Sequence, residues 1–469
     1  MHRYNFDLPA TLRLRELIAG YGRMCRLEGM TPQQRGQRFN EFVAELLRYW
    51  GLGRVEASVR SIGEIDVAFA IDGTRFILEA KWEQAPVSFD PIAKLSRRIT
   101  QRFTGTRGVF LSMSGYTAEA IGDMLRGQQP DILLLDRSHL EAVLSGLFSP
   151  ADLFAGLLDR ASYRGEVQVP LTGLLMPDDG PSLPTLAIGS PAGDFPPVVT
   201  ETAPGIHAEV VLHGTQPQDT VIGGITVDTR ERLLLTMPEG IVRADPISGA
   251  LGWAAPIPGC RGSALQRADG SILVICGETV LRWDGHECQI LAGGFTGGTS
   301  LLAGPDGQEW VFDYKNAQWT GSGMSVTLTR LGDGLGQEDR HTIDFQAGIW
   351  NAVWLSGRRF FLAGDGHFGL VDLDDTTSVP IDERLRSPHP GQRGAVRIDE
   401  HTVMTATRHG TVYRINVETG ESTLMARLDM LALGCDMASG HQGRAYVLEH
   451  RGGPRSFIPI VVALSGYLP

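Results

Sequence analysis

Lysine is scarce in this chain of 469 residues: there are three (Lys81, Lys94 and Lys315) against 39 arginines. The five cysteines are scattered without a Cys-x-x-Cys pair, which argues against zinc sites and disulfides and is typical of a reducing compartment. No apolar run approaches the roughly 18 residues of a membrane-spanning helix, and the first residues lack a signal-peptide core. These absences predict a cytoplasmic protein without a membrane segment.

Charge is distributed unevenly along the chain. Residues 1–165 hold 21 Lys and Arg against 19 Asp and Glu, a net charge of +2, so the remainder carries 21 against 35, or −14. Because phosphate repels an acidic surface, only the N-terminal part is a plausible DNA binder. For the acidic remainder we expect a protein partner or a basic surface. The length allows two or more domains.

Residues 65–82 predict a β-hairpin. Both flanks alternate with period two around Asp72-Gly73, a strong signal for a two-residue turn. With that turn at the centre, facing positions have numbers that add to 145, so Asp66 lies opposite Glu79 and Glu64 opposite Lys81. One face then carries the polar residues Asp66, Glu79 and Lys81. The other is apolar and carries Ile65, Val67, Phe69, Phe76, Leu78, Ala80 and Trp82.

The polar face of this hairpin has the chemistry of a metal site. Two carboxylates about 5 Å apart repel each other, and a divalent cation such as Mg²⁺ or Mn²⁺ between them reverses the sign of the interaction. Lys81 is placed to hold or deprotonate a water beside the metal, and in a chain that otherwise uses arginine it offers a compact ammonium. The alternative is an exposed Glu–Lys pair on a strand. We interpret Asp66 and Glu79 as metal ligands of a phosphodiesterase site.

Flanking elements complete a first domain, assigned to residues 1–162. Thr31-Pro32-Gln33-Gln34 predicts a helix start with a capping box, and Asp90-Pro91 predicts a second one. The predicted order is a helix, three strands, a helix and a strand, with a further helix, strand and helix after them. Seven prolines between residues 177 and 204 predict a partly extended linker, assigned to residues 163–204.

Residues 205–469 contain a repeated β pattern. Similar runs are centred on Val242, Val280, Leu370 and Val412, which are 38, 90 and 42 residues apart, and a further unit is expected near residues 310–313. A period near forty with several strands per unit predicts a β-propeller of six blades, with five or seven left open. Residues 208–213 are expected to close the ring with the last blade. A β-sandwich array is the alternative.

The first domain resembles a known family. The matching segments are Arg35-Gly36, Phe39-Asn40-Glu41-Phe42, Gly63-Glu64-Ile65-Asp66, Leu78-Glu79-Ala80-Lys81-Trp82 and residues 106–112. They resemble the PD-(D/E)xK superfamily, the restriction-endonuclease-like fold, and especially its Mrr-like branch. The resemblance covers about a third of the chain. It implies Mg²⁺-dependent cleavage of DNA, with Asp66 and Glu79 as metal ligands and Lys81 positioning the attacking water.

One position departs from the family pattern. Relatives often carry a Glu on the first helix that orients a metal-bound water, whereas the matching residue here is Asn40, followed by Glu41. An asparagine can hold a water but cannot act as a base. Glu41 lies roughly 100° further round the helix. Both are candidate catalytic residues, and the departure bears directly on the activity.

A row of polar residues on the second helix is a candidate DNA-backbone track. Contacts from such a row to phosphates would position a duplex without reading its sequence, and the alternative is an ordinary solvated helix face. The row comprises Lys94, Arg97, Arg98, Gln101, Arg102 and Arg107.

The sequence therefore supports three hypotheses for a multidomain protein with an α/β N-terminal domain and an all-β propeller. The first is a metal-dependent DNA endonuclease whose propeller senses or docks a protein partner in defence or DNA processing. Cutting both strands of a duplex would favour a homodimer. The second is a non-catalytic adaptor that binds DNA through a degenerate nuclease fold. The third is a propeller enzyme, which requires carboxylates or histidines converging at the ring axis. Its histidines, such as His286, His367 and His409, are dispersed in sequence.

Overall fold

A computed structural model of the chain shows two compact units. The first comprises Met1–Asp178 with the short stretches Glu287–Gly294 and Gly332–Gln337, and the second comprises Asp179–His286, Phe295–Leu331 and Glu338–Pro469. The structure describes residues 8–61, 63–126, 131–176, 180–191, 198–215, 222–295, 299–304, 307–313, 324–345, 348–364, 367–374, 378–379, 383–385, 392–407, 409–428, 435–440, 442–453 and 456–467.

The first unit is an α/β domain built on one mixed sheet. Its strands run in the order β1-β2-β3-β4-β5, with β1 to β3 antiparallel and β3 to β5 parallel. They are β1 (Val55–Ser61), β2 (Gly63–Ile71), β3 (Thr74–Lys81), β4 (Thr106–Ser112) and β5 (Ile132–Asp136). The helices are α1 (Leu8–Cys25), α2 (Pro32–Tyr49), α3 (Phe89–Thr100), α4 (Ala118–Arg126), α5 (Arg137–Ser145), α6 (Pro150–Arg164) and α7 (Leu171–Leu175). This confirms the predicted element order; α1, α6 and α7 are additional.

Helix α2 begins as its sequence predicts. The backbone N–H of Gln34 donates to Thr31 Oγ1 at 3.2 Å, and the backbone N–H of Thr31 donates to Gln34 Oε1 at 2.9 Å. This reciprocal capping box satisfies two donors of the first turn, and Pro32 has no donor to satisfy. The helix buries Phe39, Phe42, Val43, Ala44, Leu46 and Leu47.

Both faces of the sheet are covered, which corrects the expectation of a single apolar face. Phe69 and Leu78 line one side together with residues of α2, α5 and α6. Ile77 and Phe110 pack on the other side with residues of α3 and α4, and Ile65 joins this second cluster rather than the first. Polar residues at the carboxyl end of β3 remain half-buried where this helical cover stops.

The strands that follow the α/β domain form six sheets, antiparallel apart from one added strand, as a six-bladed propeller requires. The first blade has β9 (Gly224–Val227), β10 (Leu233–Met237), β11 (Gly240–Ala244) and β12 (Leu251–Ala255). The second has β13 (Cys260–Gln266), β14 (Ile272–Cys276), β15 (Thr279–Trp283) and β16 (Cys288–Ala292). The third has β17 (Thr299–Ala303), β18 (Glu309–Asp313), β19 (Met324–Arg330) and β20 (Asp339–Phe345), extended by the parallel strand β24 (Ser378–Val379).

The remaining blades complete the ring. The fourth has β21 (Ile349–Ser356), β22 (Arg359–Gly364) and β23 (Phe368–Asp372), and a short 3₁₀ helix follows at Glu383–Leu385. The fifth has β25 (Gln392–Arg397), β26 (Thr402–Thr407), β27 (Thr411–Asn416), β28 (Ser422–Leu428) and β7 (Val199–Thr202). The sixth has β29 (Cys435–Ser439), β30 (Ala445–Gly453), β31 (Ser456–Ser465), β8 (His207–Gly214) and β6 (Leu186–Ile188).

Ring closure occurs as predicted. Strand β8 pairs with β31, with Leu212 opposite Val461 and Ala208 opposite Leu464. The proline-rich stretch before it also contributes strands, because β6 pairs with β8 and β7 pairs with β28. Among the described helices, none is long and apolar enough to cross a membrane.

The sequence repeat corresponds to one strand of most blades. The runs at Val242, Val280, Leu370 and Val412 lie in β11, β15, β23 and β27, the third strands of their blades. The run at residues 310–313 breaks this correspondence, since it forms β18, a second strand. Residues 310–313 of β18 are all buried, whereas the fourth residue of β11 and of β15 is half-buried. The following connection, residues 314–323, is longer than the two-residue turns at this place in the first two blades.

Candidate active site

The hairpin of β2 and β3 has the predicted register. Pairs run from Ile71↔Thr74 to Val67↔Leu78, and their numbers add to 145. Asp72 and Gly73 form the turn with positive φ angles of 46° and 82°, a backbone conformation that Asp and Gly tolerate best. The regular pairing ends at Val67, so Asp66 and Glu79 are the next residues beyond the ladder.

Asp66 is fixed by hydrogen bonds to two different elements. Its Oδ2 accepts a 2.8 Å bond from the backbone N–H of Ala80, and its Oδ1 accepts a 2.8 Å bond from Asn40 Nδ2 on α2. Ser58, which lies on β1 between the pairs that flank Asp66, has a φ of 52°. Such a φ is uncommon for a serine, so the strand is distorted beside this carboxylate.

Glu79 is ion-paired with α3. Arg98 Nη1 donates to Glu79 Oε2 at 2.7 Å, and the two side chains are 33% and 14% exposed. Burial raises the pKa of Glu79, and the positive charges of Arg98, Lys81 and Lys94 oppose that rise. Asp66 adds to the rise, so these charged groups act on one another at one site.

Lys81, like Lys94, has no hydrogen-bond or ion-pair partner among the described residues. It is half-buried, and its strand is held in place by pairing with Ser112 of β4 and by a 2.9 Å hydrogen bond from Met113 N to its carbonyl oxygen. The side chain of Glu64, its expected neighbour, lies outside the described residues. Glu41 is exposed on α2 and, among the described residues, makes no contact with Asp66, Glu79 or Lys81.

Aromatic packing supports the strand next to Lys81. The ring of Trp82 lies 4.8 Å from that of Phe39 and 5.8 Å from that of Tyr21, between centroids. The Arg35 guanidinium lies 4.5 Å above the Trp82 ring. This gives Arg35, noted in the sequence only as part of a family motif, a structural role: it anchors the strand that carries Glu79 and Lys81 to α2.

The predicted DNA-backbone row occupies several environments. Lys94, Arg97 and Gln101 are exposed on or just after α3. Arg98 contacts Glu79 instead of pointing freely to solvent, and Arg107 Nη1 pairs with Asp131 Oδ1 at 2.9 Å. Arg102 is half-buried and lines a groove on the sheet. The Arg98–Glu79 pair was not predicted from the sequence, where its one signal is the position of Arg98 beside the apolar stripe of Leu95 and Ile99.

The donor set at this site suits a hard divalent cation. Asp66 and Glu79 supply carboxylate oxygens, and Mg²⁺ typically takes one or two carboxylates and completes its shell with water. A carboxylate oxygen has two acceptor sites, so the hydrogen bonds to the two oxygens of Asp66 are compatible with a metal contact. A cation would also offset the burial that disfavours the ionised form of Glu79. Among the described residues, no group of three or more His, Cys, Asp or Glu side chains could hold a metal ion, and this holds for the propeller as well.

Comparison with known families agrees with this geometry. Residues 32–144 match the Mrr_cat family of restriction endonucleases. This range contains Asn40, Asp66, Glu79 and Lys81. The chain therefore carries a restriction endonuclease-like domain of the Mrr type, followed by a six-bladed β-propeller.

The propeller is similar to several solved structures at low identity. A gluconolactonase from Xanthomonas campestris is 14% identical, with a TM-score of 0.41, and the match covers 59% of this chain and 98% of that chain. Regucalcin, a calcium-binding protein from Agrobacterium tumefaciens, is 14% identical with a TM-score of 0.40, covering 54% and 93%. The WD40 propeller domain of Doa1 is 9% identical with a TM-score of 0.35, covering 55% and 97%. No curated protein matches the chain.

Proposed function

We propose that the chain is a metal-dependent DNA endonuclease that hydrolyses phosphodiester bonds. The observation that carries the proposal is the convergence of Asp66, Glu79 and Lys81 at the end of the β2–β3 ladder, where their charges act on one another. Paired carboxylates beside a lysine in an Mrr-type domain fit phosphodiester hydrolysis better than any other chemistry at this place.

Each side chain has a distinct task in this proposal. Asp66 and Glu79 would hold Mg²⁺ or Mn²⁺, which would supply a Lewis acid for the phosphate and a more acidic water. Lys81 orients the attacking water and neutralises charge that develops on the phosphoryl oxygens. Asn40 holds the Asp66 carboxylate in place through its 2.8 Å hydrogen bond. Lys94, Arg97 and Gln101 form the exposed part of the DNA track, with Arg98, Arg102 and Arg107 beside it.

The propeller is proposed to serve recognition of a protein partner. Residues 166–469 carry a net charge of −14, which opposes DNA binding, and the loops of a rigid ring commonly bind partners. For cleavage of both strands of a duplex we propose a homodimer, acting in the cytoplasm in defence or DNA processing.

Plasmid cleavage tests the proposed activity. The purified protein should nick supercoiled plasmid with Mg²⁺ or Mn²⁺, and EDTA should abolish nicking. Asp66→Ala, Glu79→Ala and Lys81→Ala should each lower the rate by at least about 100-fold while leaving the fold intact. Lys81→Arg keeps the charge but replaces the compact ammonium with a planar fork, and should also be inactive. Undiminished cutting by any of these variants would refute the assigned site.

A second candidate is a DNA-binding adaptor without catalysis. Two observations favour it: Arg98 forms an ion pair with Glu79, and Asn40 stands where relatives often carry a Glu. This candidate predicts DNA binding that is insensitive to Mg²⁺ and no nicking with either metal. Calorimetric binding of Mn²⁺ to the wild type, lost in Asp66→Ala, would exclude it even if cutting required a further trigger.

A further inference from the structure

A groove of about 480 Å³ lies on the nuclease-domain sheet, separate from the carboxylates. Its floor includes Ala68, Ala70 and Ile77 on β2 and β3. Small side chains on these strands leave a depression where α3 has already ended. The groove has the size of a small-ligand site. None of the proposed catalytic residues lines it, whereas Gln101 and Arg102 belong to the proposed DNA track.

The groove is connected to Glu79 along two elements. On β3, Arg75, Ile77 and Glu79 are alternate residues and therefore share one face of the sheet. Ile77 is roughly 7 Å and Arg75 roughly 13 Å along the strand from Glu79. On the opposite wall, Arg102 follows Arg98, the partner of Glu79, by about one helical turn. The groove thus begins roughly 7 Å along the strand from Glu79, close enough for a DNA strand that passes Glu79 to continue into it.

The rim of the groove combines positive charge with an exposed aromatic ring. Arg54, Arg75 and Arg102 line it against a single acid, Glu56. Arg54 and Glu56 form a 3.2 Å ion pair between exposed side chains, which costs little to exchange for a phosphate. Phe103, also on the rim, is 91% exposed. A phenylalanine in this position exposes its whole ring to solvent, and every nucleobase offers a face to stack on it.

We propose that this groove binds an unpaired stretch of the DNA strand next to the cleavage site. A base stacks on Phe103 while the adjoining phosphates pair with Arg54, Arg75 and Arg102. This inference rests on the proposed function and specifies its substrate class. The preferred substrate is DNA with an unpaired segment, such as a tail or a bubble, and a blunt duplex is bound less tightly. Stacking of one base on the ring is expected to give a preference of roughly tenfold or more, equivalent to about 1.4 kcal/mol or more.

The test measures binding in EDTA, so that it does not depend on cleavage. Fluorescence anisotropy of the full-length protein is recorded with a labelled blunt duplex and with the same duplex carrying an unpaired tail. Wild-type protein should prefer the tailed duplex by roughly tenfold or more. Phe103→Ala should abolish that preference, and Phe103→Trp should preserve it with quenched indole emission on binding. Tyr163→Ala, which removes a similarly exposed aromatic side chain on α6 (85% exposed), is the matched control and should behave as wild type.

The outcomes separate this inference from the proposed activity. Equal binding of both DNAs by the wild type, or a preference unaffected by Phe103→Ala, would overturn it; so would binding of neither DNA. A tail preference lost in Phe103→Ala supports it even if plasmid nicking fails, in which case the groove serves the adaptor. Nicking without a preference for tailed DNA would support the endonuclease activity and refute the role of the groove in it.

Discussion

Arg98 Nη1 lies 2.7 Å from Glu79 Oε2, so a helix that was expected to face DNA instead neutralises a proposed metal ligand. Both side chains are largely shielded from solvent, and the pair therefore resists screening better than a surface ion pair. A metal held by Glu79 would compete with Arg98 for the same negative charge. DNA phosphate offers Arg98 another anionic partner, which would free Glu79 when substrate binds.

Replacing Arg98 with a neutral residue should strengthen metal binding without DNA. In Arg98→Gln the competing charge is absent, and we expect the affinity for Mn²⁺ to rise by roughly tenfold, about 1.4 kcal/mol. Titration calorimetry of Mn²⁺ into the DNA-free protein measures this directly. Arg98→Lys, which retains a positive charge, is the control and should stay near wild type. An unchanged or weaker affinity in Arg98→Gln would show that Arg98 does not compete with the metal.

Asn40 should respond differently to two substitutions. Asn40→Ala removes the donor to Asp66 Oδ1 and should lower cleavage by about 10- to 100-fold, the usual effect of losing a residue that orients a ligand. Asn40→Asp places a carboxylate against Asp66, so the metal-free protein should become less stable and gain the most stability on adding Mn²⁺. Thermal denaturation with EDTA and with Mn²⁺ checks this. Equal Mn²⁺ stabilisation of wild type and Asn40→Asp would contradict the proposed contact with the metal site.

The propeller should lose stability as pH rises from about 5 to 8. Burial, and then the charge of Asp313, raises the pKa of Glu278 from 4.5 to about 7. The folded state therefore keeps a proton between these values that the unfolded chain has released, so unfolding becomes easier as pH rises through this window. The expected loss is roughly 2–3 kcal/mol in the free energy of unfolding. Urea denaturation at both pH values measures it.

Glu278→Gln provides the control for that pH dependence. It has no proton to release, so its stability should vary less between the two pH values than that of the wild type. A residual slope of the same sign is expected from Asp436, whose pKa burial raises to about 6, and from Glu449, whose pKa burial raises well above its usual range. Equal slopes in wild type and Glu278→Gln would refute the assignment to Glu278.

Glu449 is expected to reduce the stability of the sixth blade. It is fully buried on β30, burial raises its pKa well above the usual range, and neither carboxyl oxygen has a hydrogen-bond partner among the described residues. Glu449→Met has a similar volume and no group to desolvate, so it should raise the free energy of unfolding by about 1–3 kcal/mol at pH 8. Glu449→Ala leaves a cavity and should gain less. A destabilised Glu449→Met would mean that the carboxyl has a partner in the folded protein.

Local signals in the sequence were sufficient for the hairpin and the helix start. Asp72-Gly73 determines the register through turn geometry, and Thr31 with Gln34 forms a cap within four residues. The pairing of Arg98 with Glu79 depends on where α3 lies across β3, which involves packing of Ile92, Leu95 and Ile99 against the sheet. Such long-range packing has no local pattern, so the sequence predicted a solvent-facing arginine row.

Two other differences have physical reasons. The proline-rich stretch predicted a linker, yet β6 and β7 are short edge strands, where proline nearby is tolerated because one side needs no donors. The face of Ile65 was predicted from strict alternation along β2. That alternation fails beside Asp66, opposite the positive φ of Ser58, and a backbone irregularity of this kind is not encoded in a hydrophobic pattern.

Ring closure by β8 also sets an order during synthesis. Residues 32–144 leave the ribosome before any blade is complete, whereas β8 acquires its partner β31 only after almost the whole propeller has been translated. Until then β8 presents an unpaired strand edge to solvent, a feature that favours association with other chains. The sheet of the restriction endonuclease-like domain, residues 55–136, can therefore form on the nascent chain while the ring is still open. Any restraint that depends on a closed propeller begins only after β31 has been synthesised.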